Sequence, residues 1–139
     1  MDAESLHHHQ VAALPFRKRG GRMEILLITS RETKRWVIPK GWPMEGRTDY
    51  NAAKQEAWEE AGVKGRIGKL ELGHYIYSKR LKSGEVGSCR TVVYPLEVEK
   101  MLGSWPEKKQ RFRSWFAVDE AVEALNDEGL IDILTNFDP

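Results

Sequence analysis

The chain has 139 residues, of which 40% are hydrophobic and 31% charged, a composition that is typical of one globular domain and excludes an intrinsically disordered chain. Its 22 basic residues are balanced by 21 acidic ones, and the resulting net charge of +1 argues against a general nucleic-acid-binding or membrane-surface protein. Cys89 is the one cysteine, so an intramolecular disulfide and a zinc site built from several thiolates are excluded.

Residues 1–10, MDAESLHHHQ, lack the basic start and apolar core of a signal peptide. No later stretch approaches the roughly 18 apolar residues of a membrane span. We therefore expect a cytoplasmic protein without membrane contact. Three consecutive side chains, His7, His8 and His9, cannot all converge on one ion, so residues 1–10 are interpreted as a solvated lead-in to a single domain at residues 11–139.

Two strands joined by a glycine turn are predicted at the start of the domain. Residues 11–17 and 23–30 have strand composition, and the apolar run from Ile25 to Ile28 indicates a strand that is buried on both faces. A charged connection follows, and residues 36–38 form a short predicted strand that ends at Pro39.

A loop rich in glycine and proline then leads into a helix that carries three glutamates. Thr48 is a suitable N-cap for this helix, and Gly62 is a suitable stop. Glu56, Glu59 and Glu60 stand at i, i+3 and i+4, which makes them neighbours on the helix surface. Their like charges repel one another, and the negative end of the helix macrodipole adds to the repulsion. One interpretation is a solvated acidic surface; the other is a site for a hard divalent cation such as Mg²⁺, which prefers oxygen ligands.

The second half of the chain contains further strands and two short helices. Residues 69–77 and 90–99 are predicted strands joined around residues 82–85, and Pro95 predicts a sheet edge or a bulge in the second one. Residues 110–118 form another predicted strand, Asp119 is the predicted cap of the helix after it, and a last helical face begins near Leu130. Strands mixed with helices indicate an α/β fold.

The segment from residue 39 to residue 63 resembles the signature of the Nudix hydrolases. That signature reads glycine, five residues, glutamate, seven residues, arginine-glutamate, an aliphatic residue, any residue, two glutamates, any residue, glycine and an aliphatic residue. Two positions depart from it, because Arg47 stands in place of the loop glutamate and Gln55 in place of the arginine. The resemblance covers nearly the whole chain and implies a mixed β-sheet sandwiched between α-helices, with the signature helix on one face. The residues that match at the correct spacing are Gly41, Glu56, Ala57, Glu59, Glu60, Gly62 and Val63.

The resemblance and the residue chemistry imply the same reaction, hydrolysis of a phosphoanhydride by an enzyme that uses Mg²⁺, with Mn²⁺ as a possible substitute. By match to the family, Glu56 and Glu60 are the first expected metal ligands, and Glu60 is also expected to be catalytic. Glu59 is expected to hold a second metal or to act as the base. The backbone carbonyl of Lys40 matches the position at which the family's loop adds a neutral ligand.

The expected substrate is a polyphosphorylated small molecule. Arg31, Lys40, Arg47 and Arg90 are predicted to contact its phosphates, although solvated basic loops are the other interpretation of such a set. The branch that the chain resembles is that of the diphosphoinositol polyphosphate and diadenosine polyphosphate hydrolases. The sequences that carry this resemblance are Ser30-Arg31, Arg90-Thr91 and Arg113-Ser114-Trp115-Phe116.

Two other functions stay open at this point. The departures at Arg47 and Gln55 favour a binding module that keeps the fold and a pyrophosphate pocket but lacks turnover. A sanitising pyrophosphohydrolase for nucleoside triphosphates would need an aromatic clamp for the base, and Trp42 or Tyr75 would have to supply it. The residues do not indicate an oligomeric state.

Overall fold

The computed structural model describes residues 7–80, 84 and 86–139. Within these residues the chain forms eight strands and three helices. The connection predicted around residues 82–85 lies, apart from Gly84, outside the described residues. The strands are β1 (His7–Arg19), β2 (Arg22–Thr29), β3 (Trp36–Val37), β4 (Lys40–Gly41), β5 (Val63–Ile67), β6 (Gly73–Arg80), β7 (Val86–Met101) and β8 (Arg113–Ala117). The helices are α1 (Asp49–Glu56), which continues into a π-helical segment at Ala57–Ala61, α2 (Val118–Ala124) and α3 (Glu128–Thr135).

The sheet is built around β1. This strand runs antiparallel to β4 near its start and to β2 near its end, and it runs parallel to β7. β2 also pairs with β3 and β8, while β7 pairs with β6 along its first half and with β5 along its second. The described strands therefore form one mixed sheet, and the short strand β4 brings the signature loop against its central strand.

Helices cover both faces of the sheet, because successive residues of a strand point to opposite sides. Ala13 and Leu26 belong to the apolar cluster beneath α1, whereas Leu14 and Ile25 belong to the cluster beneath α2 and α3. These findings confirm the burial of β2 on both faces and the α/β sandwich with the signature helix on one face. The helix lies close to the sheet through small, fully buried side chains, those of Ala52, Ala53, Ala57 and Ala61.

The start of the first strand differs from the prediction. β1 begins at His7 and pairs in parallel with β7 from that residue onward, with His7 opposite Ser88. Gln10 is buried at 6% exposure, so residues 7–10, predicted as a solvated lead-in, instead form ordered strand. The backbone of β7 provides the hydrogen-bonding partner that the sequence of this segment does not reveal.

Pro95 does not lie at a sheet edge, because β7 has neighbours on both sides. The proline occupies the point at which the antiparallel partner of β7 changes from β6 to β5, so its missing N–H does not interrupt a continuous ladder. Its carbonyl accepts a hydrogen bond from the Gly68 N–H at 2.8 Å. The prediction of an edge strand at this position is wrong.

Two other element boundaries also differ from the predictions. α2 begins at Val118, and the Ala117 N–H donates to Glu120 Oε1 at 2.9 Å, so Asp119 lies in the first turn and is not the cap. β5 was not predicted, although its residues alternate between buried and exposed as expected for a strand. It follows directly from the end of the π-helical segment.

Candidate active site

The signature loop and helix are in close contact at Gly41 and Glu56. Gly41 pairs with Val11 of β1, which fixes the loop against the centre of the sheet. A Cβ atom at position 41 would overlap the carboxylate of Glu56. A side chain at position 41 would therefore displace this carboxylate from the loop backbone.

The three glutamates lie at the junction of α1 and the π-helical segment. The helix starts at Thr48, whose hydroxyl accepts from the Asn51 N–H at 3.4 Å, which confirms the predicted N-cap. Glu56 ends the α-helical part, while Glu59 and Glu60 lie within the wider π-helical turn. Such turns are rare in proteins and occur frequently at functional sites.

Glu56 and Glu60 lie close enough for each carboxyl group to influence the pKa of the other. Burial raises the pKa of Glu56, and the charges of Glu60 and Glu59 raise it further. Burial also raises the pKa of Glu60, although Arg111 and the Lys40 N–H act in the opposite direction. Glu60 is buried and Glu56 is half-buried, so a proton or a bound cation would lower the cost of placing their two negative charges together.

Glu60 is held from two sides. The Lys40 N–H donates to its Oε1 at 3.1 Å, and Arg111 Nη2 lies 3.5 Å from its Oε2. The side chain of Arg111 is only 9% exposed, and its Nε donates to Glu107 Oε1 at 2.8 Å. Arg111 Nη1 also donates to the Thr29 carbonyl at 3.1 Å, so its guanidinium links Glu60, a fourth carboxylate and the end of β2.

Glu59 is held by the glutamine one turn earlier. Gln55 Nε2 donates to Glu59 Oε1 at 3.2 Å, and Arg47 Nη1 donates to Gln55 Oε1 at 3.3 Å. The two positions that depart from the family signature therefore contact each other, and one of them contacts a glutamate of the site.

The segment between β7 and β8 closes the end of the signature helix. Its Leu102 N–H donates to the Gly62 carbonyl at 2.8 Å, and its Glu107 N–H donates to the Glu59 carbonyl at 3.0 Å. At the start of β8, Arg113 Nη1 donates to the carbonyls of Ala61 at 2.8 Å and Gly62 at 3.1 Å.

The guanidinium of Arg113 also lies 3.9 Å from the ring centroid of Trp105, and a Cβ at Gly62 would overlap the same ring. Arg113 is therefore a cation at the negative end of the helix dipole, where its charge is favourable.

A cleft of about 660 Å³ opens beside these groups. Five carboxylates and four cationic side chains line it. Trp42 stands on its wall with 47% of its surface exposed. The carboxylates belong to Glu32, Glu56, Glu59, Glu60 and Glu107, and the cations to Arg31, Arg35, Lys40 and Arg111.

The cleft does not contain every predicted site residue. Arg31 and Lys40 line it, but Arg47 lines a separate groove on the other side of the helix with Trp58. Arg90 is exposed on β7, where its Nη2 lies 3.3 Å from His74 Nδ1. Tyr75 is only 3% exposed and is buried in the core, which excludes it as an open clamp for a base.

The sequence did not single out Glu107 and predicted no structural role for Arg111. They lie in a segment without helical or strand periodicity, and their four-residue spacing, which allows the ion pair, was the one available signal.

The donor set fits a hard divalent cation. In the described part of the chain, no three acidic or histidine side chains are gathered closely enough to hold an ion as they stand. Glu56 and Glu60 supply carboxylate oxygens, and a divalent cation would offset the negative charge that raises the pKa of Glu56. These two residues are therefore the ones that fit Mg²⁺.

The structure combines a mixed sheet between helices with a glycine loop and a glutamate-rich helix end, both beside a cleft that cationic side chains also line. This arrangement is that of the hydrolase class that the signature suggested. The family model of the NUDIX domain matches residues 6–137. The chain belongs to the Nudix hydrolase family. No helix among the described residues is long and apolar enough to cross a membrane.

Curated relatives agree with this assignment. The chain is 37% identical over 121 residues to "Nudix hydrolase 12, mitochondrial" of Arabidopsis thaliana, covering 84% of this chain and 59% of that protein. It is 35% identical over 118 residues to human "Diphosphoinositol polyphosphate phosphohydrolase 3-beta", covering 84% of this chain and 68% of that protein. The chain thus spans about three fifths of the length of the plant relative.

A solved structure supports the fold. The binary complex of the Caenorhabditis elegans Ap4A hydrolase superimposes with a TM-score of 0.68 at 22% identity, covering 92% of this chain and 93% of that one.

Proposed function

We propose that the protein is a Mg²⁺-dependent pyrophosphohydrolase that cleaves a phosphoanhydride bond in a polyphosphorylated small molecule. A diadenosine polyphosphate or an inositol pyrophosphate is the proposed substrate. The observation that carries the proposal is that one cleft holds both the carboxylates of Glu56 and Glu60 and the cationic side chains of Arg31 and Lys40. A divalent cation would offset the negative charge of the two glutamates, and cationic side chains are suited to bind phosphates.

Each residue has a role in this proposal. Glu56 and Glu60 would hold the metal, with the Lys40 carbonyl as a neutral ligand, and the Lys40 N–H and Arg111 would keep Glu60 in place. The bound cation would supply neutralisation of phosphate charge and polarisation of the phosphoryl group. Glu59 would accept a proton from water as the water oxygen bonds to phosphorus and the bridging P–O bond breaks. The bridging oxygen leaves on the second phosphate.

The relatives support this substrate class. Proteins about one third identical to this chain are named diphosphoinositol polyphosphate phosphohydrolases, and a protein of the same fold is named an Ap4A hydrolase. The cytoplasm remains the proposed compartment, because the buried thiol of Cys89 suits a reducing environment. Plant relatives are named mitochondrial, and imaging of the tagged chain distinguishes the two compartments.

The test is a product-release assay across diadenosine polyphosphates, inositol pyrophosphates, nucleoside triphosphates and ADP-ribose, each with Mg²⁺, with Mn²⁺ and with a chelator. We expect turnover only with metal and the highest efficiency on the substrates with most phosphates. Glu60→Gln removes a ligand charge and should lower kcat by orders of magnitude while the circular dichroism spectrum stays unchanged. Glu99→Gln is the matched control, because Glu99 is exposed and its ion pair with Arg66 lies outside the cleft.

Several results would contradict the proposal. Equal turnover by Glu60→Gln and the parent would show that the metal site is misplaced. Tight binding of a substrate without turnover would favour the binding module, and a preference for a single nucleoside triphosphate would favour a sanitising enzyme.

A further inference from the structure

We infer that Arg47 is a positioning residue for Glu59, acting through the side-chain amide of Gln55; this inference rests on the proposed role of Glu59 as the base. Two successive hydrogen bonds carry it, from Arg47 Nη1 to Gln55 Oε1 at 3.3 Å and from Gln55 Nε2 to Glu59 Oε1 at 3.2 Å. Arg47 lies outside the cleft, so it reaches the chemistry only through these bonds.

The polarity of the arrangement follows from the chemistry of its two ends. An arginine guanidinium has donors and no acceptor, whereas an ionised glutamate has acceptors and no donor. The amide between them can satisfy both only with its oxygen toward Arg47 and its NH₂ group toward Glu59. Arg47 thereby selects the one orientation of Gln55 in which its NH₂ group donates to Glu59.

The base of the Arg47 side chain is anchored. The Arg47 N–H donates to the Met44 carbonyl at 3.1 Å, which closes a turn in which Gly46 adopts a left-handed φ of +78°. Met44 packs against the apolar cluster beneath α1, and the N-cap Thr48 follows immediately. The turn and the cap together present the guanidinium to the helix surface that carries Gln55.

This arrangement gives the two signature departures a common explanation. The family signature places an acid in the loop and an arginine on the helix, whereas this chain has an arginine in the loop and a neutral amide on the helix. A cation is retained in both arrangements, and a donor faces the residue at position 59. The departures are therefore coupled, and changing both together should restore what either change alone disturbs.

The test is a charge-exchange cycle of Arg47→Glu, Gln55→Arg and the double variant, with Lys54→Glu as control. Lys54 is exposed on the same groove, adjacent to Gln55 in sequence, and gives the same change of charge. In Arg47→Glu the new carboxylate competes for the NH₂ group of Gln55, and we expect kcat to fall about three- to tenfold with KM nearly unchanged, the effect of one lost hydrogen bond. The double variant should return to within about twofold of the parent. Lys54→Glu should leave kcat unchanged.

A second readout needs no activity. In nuclear magnetic resonance spectra of the metal-free protein, the Gln55 side-chain NH₂ signals should move in Arg47→Glu and stay in place in Lys54→Glu. Unmoved signals in Arg47→Glu, or a double variant no better than Arg47→Glu, would overturn the inference. If these signals respond as expected but the parent hydrolyses nothing, the contact between Arg47 and Gln55 stands and the proposed function fails.

Discussion

The raised pKa values of Glu56 and Glu60 make the stability of the metal-free protein depend on pH. Burial is the main cause that raises the pKa of Glu56 from 4.5 to about 8 and that of Glu60 to about 7. Unfolded glutamates lose their protons near pH 4.5, so between that pH and about 8 the folded state holds more protons than the unfolded chain. The free energy of unfolding must therefore fall as pH rises through this window.

The size of the effect follows from the number of protons. Each extra proton that the folded state holds gives a slope of at most about 1.4 kcal/mol per pH unit. Partial solvent access to the cleft reduces this, and we expect a total loss of about 2 kcal/mol between about pH 5 and pH 8. For a chain of this size that corresponds to a fall in Tm of about 4 to 8 °C. Saturating Mg²⁺ should remove most of the loss, because the cation replaces the proton.

Thermal unfolding monitored by circular dichroism, with chelator and with Mg²⁺, measures this directly. Glu56→Gln removes the carboxyl group whose pKa is raised more, so the fall of its Tm with pH should be smaller than in the parent, and its Tm should be insensitive to Mg²⁺. Glu99→Gln, whose parent side chain is exposed on β7, should keep both dependences of the parent. A flat Tm for the metal-free parent, or a lower Tm for Glu56→Gln than for the parent at pH 8, would refute the reasoning.

Three further substitutions test other contacts. Gly41→Ala places a methyl group on the Glu56 carboxylate. We expect kcat to fall at least about tenfold and the stabilisation by Mg²⁺ to fall by about half, without loss of fold. Arg113→Gln leaves the carbonyls of Ala61 and Gly62 without their charged donor. Urea unfolding should show that the free energy of unfolding falls by about 2 kcal/mol, and a fall below about 0.5 kcal/mol would contradict this role. Arg31→Ala should lower kcat/KM on diadenosine polyphosphates more than on ADP-ribose, and the difference should shrink at high salt. Arg90 lies outside the cleft, so Arg90→Ala should have a smaller effect. Equal effects of the two substitutions would show that position in the cleft does not set the substrate preference.

Local spacing was sufficient to predict the signature helix and its immediate contacts. The N-cap Thr48, the packed alanine face and the reach of Gln55 to Glu59 at i+4 all depend on helix geometry, which is the same wherever the helix is placed. The direction of a side chain on a loop or an exposed strand has no such constraint. Arg47 and Arg90 were therefore expected beside phosphates. In the structure, Arg47 bonds to Gln55 on the helix surface and Arg90 lies against His74.

Contacts between distant segments could not be predicted from the sequence either. Glu107 and Arg111 reach the site because the Glu107 N–H bonds to the Glu59 carbonyl, a contact across 48 residues that no periodicity encodes. The π-helical turn and the parallel partner of residues 7–10 are likewise set by tertiary hydrogen bonds. Tertiary contacts commonly override local propensity in this way.

The charges at the end of the signature helix are compensated unequally. Arg113 bonds to the last carbonyls, Arg111 lies beside Glu60, and Gln55 donates to Glu59. Glu56 differs, because burial and the neighbouring carboxylates of Glu60, Glu59 and Glu107 all raise its pKa. The free energy of cation binding would be most favourable where negative charge is least compensated. This is the physical reason for placing Mg²⁺ at Glu56 and its partner Glu60, and it is the reason that Glu56→Gln, more than any change at Glu59, should abolish the response of stability to the metal.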